Sequence, residues 1–316
     1  VSDAADRPYN AILLIGFGGP EAPDEIRPFL DRVLKGRPVP LERYEEVVHH
    51  YDVLGGRSPY NELTRQLADD LRLALRRERE MPVLIGLRNA APGIDEAIAA
   101  LARNGSRGVL GFILSAFRCE ASWERYQSEV AQACEAIGSS APTMIYPAPW
   151  HHDPRFIVAI ADRVRDAMAR IGAPDRAAAE LIFTAHSIPV AMDGRETYVR
   201  QLHESAALVA RAVDRENWRL AFQSRSGSPR DRWLEPDIRE AIVANAKPKI
   251  VIPIGFLCDH VEVLYDLDIE AAAVAKTAGI TLARAATVGS HPRFIEMMAE
   301  LAATGRRDSS SPSSSE

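Results

Sequence analysis

The chain has 316 residues, 47% hydrophobic and 26% charged, a composition that can bury a sizeable core in one large domain or in two of about 150 residues each. Its 38 basic and 44 acidic residues give a formal charge of −6, which argues against a nucleic-acid partner, since phosphate backbones demand a basic surface. The longest apolar run, GVLGFILSAF, is about half the ~20 residues a membrane-spanning helix needs, and no secretory signal is visible, so a cytoplasmic protein without a transmembrane anchor is expected.

In chain order, AILLIGFGG, PVLIGLRN, RGVLGFILSAF, MIYPAP, ELIFTAHS, LAFQSR, KIVIPIGFL and TLARAATVG read as strands. They are continuously apolar rather than alternating, as parallel strands covered on both faces should be. Amphipathic stretches such as NELTRQLADDLRLALRRERE and ETYVRQLHESAALVARAVD separate them as helices, which predicts an α/β fold with open, largely parallel sheets. Two pairs of phrases suggest a duplication: AILLIGFGGP with ELIFTAHSIP, and HHDPRFIVAIADRV with SHPRFIEMMAELA. Two similar α/β halves follow, 8–150 and 151–304, meeting near Trp150 to Ala173, with a cleft between them as the natural ligand site. The tail 305–316, rich in serine, has nothing to bury and is expected to be disordered.

Cys119, Cys134 and Cys258 are odd in number and lack any C-x-x-C pairing, so neither a disulfide framework nor a cysteine-bound metal is indicated. The chemistry concentrates elsewhere. DHVEVLYDLDIE, Asp259 to Glu270, holds five carboxylates with no lysine or arginine between Lys249 and Lys276. Asp259 and Glu262 resemble a helix-capping pair. Glu262, Asp266 and Glu270 recur every fourth residue and share a helical face, where like charges cost roughly 0.2–0.5 kcal/mol per pair. A solvated surface is one reading, because Val261, Leu264, Leu267 and Ala271 form an opposite apolar face. A path for a divalent cation, starting at a strand end where His260 and Glu262 can hand an ion on, is the other. His186, at the end of the apolar strand LIFTAH and held out of a helix by Pro189, suits proton acceptance near neutral pH; the absence of a G-x-S-x-G elbow argues against a serine nucleophile.

ILLIGFGGPEAPDEIRPFL, YDVLGGRSPYNELT, FTAHSIP, FQSRSGSPRDRWLEPD and IPIGFLCDHVEVLYDLDIE, in that order over nearly the whole chain, resemble the ferrochelatase family, and the middle of the chain looks most like its shorter bacterial coproporphyrin III members. The resemblance implies two similar Rossmann-like halves with a porphyrin cleft between them, and a lyase of heme biosynthesis that inserts Fe(II) into a porphyrin, with Fe(II) as substrate. It implies His186 as base and metal contact, Glu262 as its paired carboxylate and second metal contact, and Asp266 and Glu270 as a metal or proton conduit. His50, Tyr51, Ser58 and Tyr126 match positions that hold the porphyrin. Two residues depart from the pattern. Phe17 stands where several relatives have an iron-ligating tyrosine, and Leu34 replaces an arginine near a propionate, for which Lys35, Arg37 or Arg57 are substitutes. The resemblance further suggests coproporphyrin III over protoporphyrin IX, no permanently bound cofactor, no iron–sulfur cluster, and a monomer. The alternatives are a chelatase delivering Co(II) or Ni(II) to another tetrapyrrole and a non-catalytic porphyrin carrier.

Overall fold

The computed structural model describes residues 8–36, 39–76, 81–226 and 231–305; the tail from 306 onward and Arg37 lie outside them. Each half of the chain builds a four-stranded parallel sheet. In the first, β1 (Ala11–Gly16) lies between β2 (Val83–Leu87) and β3 (Gly108–Ile113), with β4 (Thr143–Ile145) outside β3. In the second, β5 (Glu180–His186) lies between β6 (Trp218–Gln223) and β7 (Lys249–Ile252), with β8 (Leu282–Arg284) outside β7. The orders β2-β1-β3-β4 and β6-β5-β7-β8 are the same topology met twice. All eight expected strands form, because their unbroken apolar runs are covered on both faces: every residue of β1 is buried.

The helices carry the crossovers that parallel pairing requires. They are α1 (Ile26–Leu34), α2 (Leu41–Val53), α3 (Tyr60–Leu75), α4 (Ile94–Arg103), α5 (Arg125–Ile137), α6 (Pro154–Ala169), α7 (Ala173–Ala178), α8 (Arg195–Ala212) and α9 (Ile238–Val243). After β7 comes one continuous helical segment. It consists of α10 (Val261–Val263), a π-helical stretch Leu264–Ala271 and α11 (Ala272–Thr277). The chain then runs through β8 into α12 (Pro292–Thr304).

The duplicated phrases DPRFIVAIADRV and HPRFIEMMAELA open α6 and α12, and both open the same way. Asp153 accepts the Arg155 amide at 2.9 Å, and His291 Nδ1 accepts the Arg293 amide at 3.3 Å, each just before a proline in the first turn. The two helices pack together, Phe156 against Phe294 at 5.9 Å between ring centroids, with Trp150 5.2 Å from Phe156. Together with α3 and α8 they fill one core that touches both sheets. Tyr9 donates its hydroxyl to the Ala302 carbonyl at 2.8 Å, so the last helix is tied to the start of the first sheet.

A buried ion group fixes the second sheet at the end away from the site. Glu180 opens β5 and Lys249 opens β7 as register partners, 3.1 Å apart and only 2% and 0% exposed. Arg219 of β6 pairs with Glu180 at 2.5 Å, and Asn245 donates to it at 3.1 Å. Burial pushes the Glu180 carboxyl up, but hydrogen bonds from Asn245, Lys249 and Arg219 outweigh it and hold the group below its ordinary range. Three strands are thereby pinned to one carboxylate. Glu180→Ala leaves the Lys249 ammonium buried against Asn245 alone and should cost about 3 kcal/mol in urea unfolding; an unchanged midpoint excludes this role for the group.

Candidate active site

The second sheet aims its functional groups from the ends of β5 and β6. His186 is the last residue of β5, in register with Gln223, the last of β6. His186 Nδ1 lies 2.6 Å from the Ser187 carbonyl oxygen, which can only accept, so Nδ1 carries the proton and Nε2 presents a lone pair. The surrounding backbone is held firmly. Tyr198 donates to the His186 carbonyl at 3.1 Å, the Ser187 amide donates to the Gln223 carbonyl at 2.7 Å, and the Ser187 hydroxyl donates to Leu234 at 3.0 Å. Gly255 lets the chain after β7 come close, its amide reaching the Thr184 carbonyl at 3.0 Å; a Cβ there would meet Ala185 Cβ at 2.5 Å.

Glu262 arrives from the helical segment that this turn launches. Its Oε1 lies 4.0 Å from His186 Nε2, with the two side chains 48% and 30% exposed. Imidazole Nε2 and the carboxylate therefore approach each other from two partly exposed side chains. The charge of Glu262 is also felt by His50, Tyr51, Tyr126, His260 and Asp266. Burial lowers His50 and His260, keeping both imidazoles neutral at pH 7, and raises Tyr51 and Tyr126, keeping both phenols protonated. His50 and Tyr51 come from α2 and Tyr126 from α5, both parts of the first half. A recess of about 210 Å³ beside them is lined by Phe17, Tyr60, Tyr126, Phe256 and His260 among others. A larger cavity of about 790 Å³ opens elsewhere, between Arg32, Arg88, Asp95 and Glu129, and neither His186 nor Glu262 borders either space.

The family model for Ferrochelatase matches residues 9–305. The chain belongs to the ferrochelatase family. Among curated relatives, a Ferrochelatase from Rhodopirellula baltica is 41% identical over 300 residues, covering 93% of this chain and 85% of the relative. A Coproporphyrin III ferrochelatase from Mycolicibacterium paratuberculosis is also 41% identical over 300 residues, covering 93% and 87%. The fold is similar to that of the sirohydrochlorin chelatase SirB from Bacillus subtilis subspecies spizizenii in complex with cobalt, with TM-score 0.58 at 13% identity, covering 94% of each chain. The family's reaction, metal insertion into a porphyrin, makes this chain a lyase of heme biosynthesis.

Against that ferrochelatase background, the sequence expectations divide. His186, Glu262, Asp266, His50, Tyr51 and Tyr126 come together around the Glu262 charge. Ser58 is one layer back: it is buried, its amide donates to Pro20 and its hydroxyl accepts the Tyr60 amide at 3.3 Å. Phe17 is 37% exposed and edges onto Phe29, which edges onto Tyr51, at 6.0 and 6.1 Å. Lys35 is engaged with Glu129 at 2.6 Å, which weakens it as a substitute for the missing arginine at Leu34, and Arg57 is exposed.

Two readings of the acidic stretch need correction. The helix cap is His260, whose Nδ1 accepts the Glu262 amide at 3.3 Å; Asp259 instead pairs with Arg284 at 2.8 Å. Nor is the charge uncompensated. Arg284, brought from β8, also binds Asp268 at 2.6 Å, and Arg239 of α9 stands 3.8 Å from Glu270. The cations are distant in sequence and close in space. Glu262 and Asp266 remain without a lysine or arginine partner within 4.0 Å among the described residues.

Asp266 has a different surrounding, which the sequence reading missed. The Ser224 hydroxyl donates to its Oδ2 through a short bond, and the Gln223 side-chain amide donates to the same oxygen at 3.4 Å. Ser224 adopts φ +60°, a left-handed conformation rare outside glycine, directly after β6. The only sequence signal was that FQSR ends a strand at the same level as TAHS. Burial pushes the Asp266 carboxyl up to about 7; the Ser224 bond opposes this, while the charges of Glu262 and Glu270 add to it. Over roughly pH 4 to 7 the folded protein retains a proton here that the unfolded chain has released, so this contribution to stability is whole below about pH 4 and is lost as pH rises to about 7. Urea unfolding at about pH 5 and about pH 8 should therefore show a larger loss of stability in the wild type than in Asp266→Asn. Equal losses place the proton elsewhere.

Proposed function

We propose that this ferrochelatase takes coproporphyrin III, with His186 Nε2 as the proton acceptor and iron contact and Glu262 as its paired carboxylate. The single observation that carries the reading is the 4.0 Å approach of a partly exposed imidazole nitrogen to a partly exposed carboxylate, both presented by the second half. A free-base porphyrin loses two pyrrole protons as its nitrogens bind Fe(II). Two N–H bonds break, the nitrogen lone pairs close onto the metal, and both protons must leave the cleft. An imidazole acceptor beside a carboxylate is suited to that work near neutral pH. Asp266 and Glu270 continue as the conduit for protons or the arriving cation; the Asp266 value near 7 supports proton transfer in either direction.

On the ring side, His50, Tyr51 and Tyr126 hold the porphyrin, the first two from α2, and Ser58 supports them from behind. The halves 8–150 and 151–304 face each other across the cleft, a division supported by the like order of their sheets. Coproporphyrin III is favoured because several relatives at about 40% identity carry it in their names. The reading includes a cytoplasmic monomer with no resident cofactor. Among the described residues no helix is long and apolar enough to cross a membrane.

Anaerobic assay of the purified protein with Fe(II), followed by porphyrin absorbance, should give a higher kcat/KM for coproporphyrin III than for protoporphyrin IX; the reverse order rejects the substrate assignment. In the same assay His186→Ala should lose at least about a hundredfold in kcat while still quenching porphyrin fluorescence on binding. Turnover retained in that variant means another group accepts the protons.

A further inference from the structure

The helical segment bearing Glu262 is gripped from the opposite half at two points, one on each side of Glu262 in sequence. Val261, just before it, is buried among Ile26, Phe29, Leu30, Val48 and Tyr51, the apolar faces of α1 and α2. Tyr265, three residues after it, lies flat on His50 of α2, ring centroids 3.6 Å apart and planes 15° from parallel. This face-to-face contact is the tightest ring pair among the described aromatic contacts. At that separation the two flat rings are in van der Waals contact over their faces, a contact that truncation of either ring removes. His50 Nε2 is buried and finds no hydrogen-bond partner, so the imidazole is held there by ring contact rather than by a polar bond from this nitrogen.

Tyr265 also sits in the π-helical stretch, between Glu262 and Asp266. A π-helix has poorer packing along its axis than an α-helix and is a rare conformation, persisting where its surroundings impose it. The opposite half supplies such surroundings here. Position of the wide turns, and with it the direction of the Glu262 carboxylate toward His186, therefore depends on contact with α2.

We infer that His50 and Tyr265 form a clamp across the cleft that sets Glu262 against His186, making Tyr265 a positioning residue for metal insertion. The inference rests on the functional reading above and deepens it. It also links two events: α2 carries porphyrin-side residues, so a ring bound against α2 acts on the segment that carries the paired carboxylate. A misplacement of about 1 Å at a reacting group can cost on the order of a hundredfold in rate, so loss of the clamp should act on turnover more than on binding.

Two measurements test it. In the first, kcat and porphyrin Kd are compared across variants at Tyr265. Tyr265→Ala should lower kcat about tenfold or more with porphyrin Kd changed less than about threefold, and Tyr265→Phe, which keeps the flat ring, should restore most of the rate. A Tyr265→Phe as impaired as Tyr265→Ala shows that the hydroxyl matters and overturns the clamp. So does a Tyr265→Ala that weakens porphyrin binding at unchanged kcat, or one that turns over faster, as removal of a gate does. The second measurement does not depend on activity. Amide hydrogen exchange over 261–271 should accelerate in His50→Ala while the β5 amides stay protected, and unchanged exchange over 261–271 overturns the clamp even if the enzyme metallates porphyrin. Faster exchange in that variant, with a wild type that metallates neither porphyrin, supports the mechanical coupling and rejects the functional reading instead.

Discussion

The site depends on a carboxylate and an imidazole being held 4.0 Å apart by separate elements of one sheet layer. Neither side chain alone is unusual. Their meeting requires β5 to end at His186 in register with β6, the turn after β7 to pass against Ala185, and the following helical segment to start with Glu262 pointing back toward the strand ends. Because Nδ1 of His186 is committed to a carbonyl, the nitrogen that faces Glu262 is the basic one. That one hydrogen bond fixes which nitrogen of a half-exposed histidine faces the carboxylate.

The rest of the second half can be seen as support for that meeting. The Glu180–Lys249–Arg219 group pins three strands at the far end of the sheet, where it can set register without perturbing the site. Arg284 stands against Asp259 and Asp268, and Arg239 against Glu270, so that the segment can carry many acids without paying repulsion at each of them. Glu262 and Asp266 are left without a cation within 4.0 Å among the described residues. Of these, Glu262 is open to solvent and Asp266 is half-buried and bonded to Ser224 and Gln223, so two carboxylates four residues apart in sequence differ in environment and hence in proton affinity.

The first half contributes a wall rather than a base. α1 and α2 place His50 and Tyr51 beside the Glu262 charge, and α5 adds Tyr126; their burial keeps them neutral. The two halves share one core through α3, α6, α8 and α12, so any gap between them lies between connected bodies rather than between domains hung on a linker. A ring stack from α2 onto the π-helical stretch crosses that gap.

Much of this was legible in the chain itself. Unbroken apolar runs ending in small residues determined eight parallel strands, repeated phrases pointed to two like halves, and the strand-terminal position of His186 marked it before any contact was known, because hydrophobic continuity and strand ends are local properties. The partners of the acidic stretch were not legible. Asp259 looked like a cap and the carboxylates looked unbalanced because Arg239 and Arg284 lie on other elements, and charge neutralisation is a matter of distance in space. Likewise the proton affinity of Asp266 and the tautomer of His186 come from burial and from a carbonyl's direction, which only the packed chain decides.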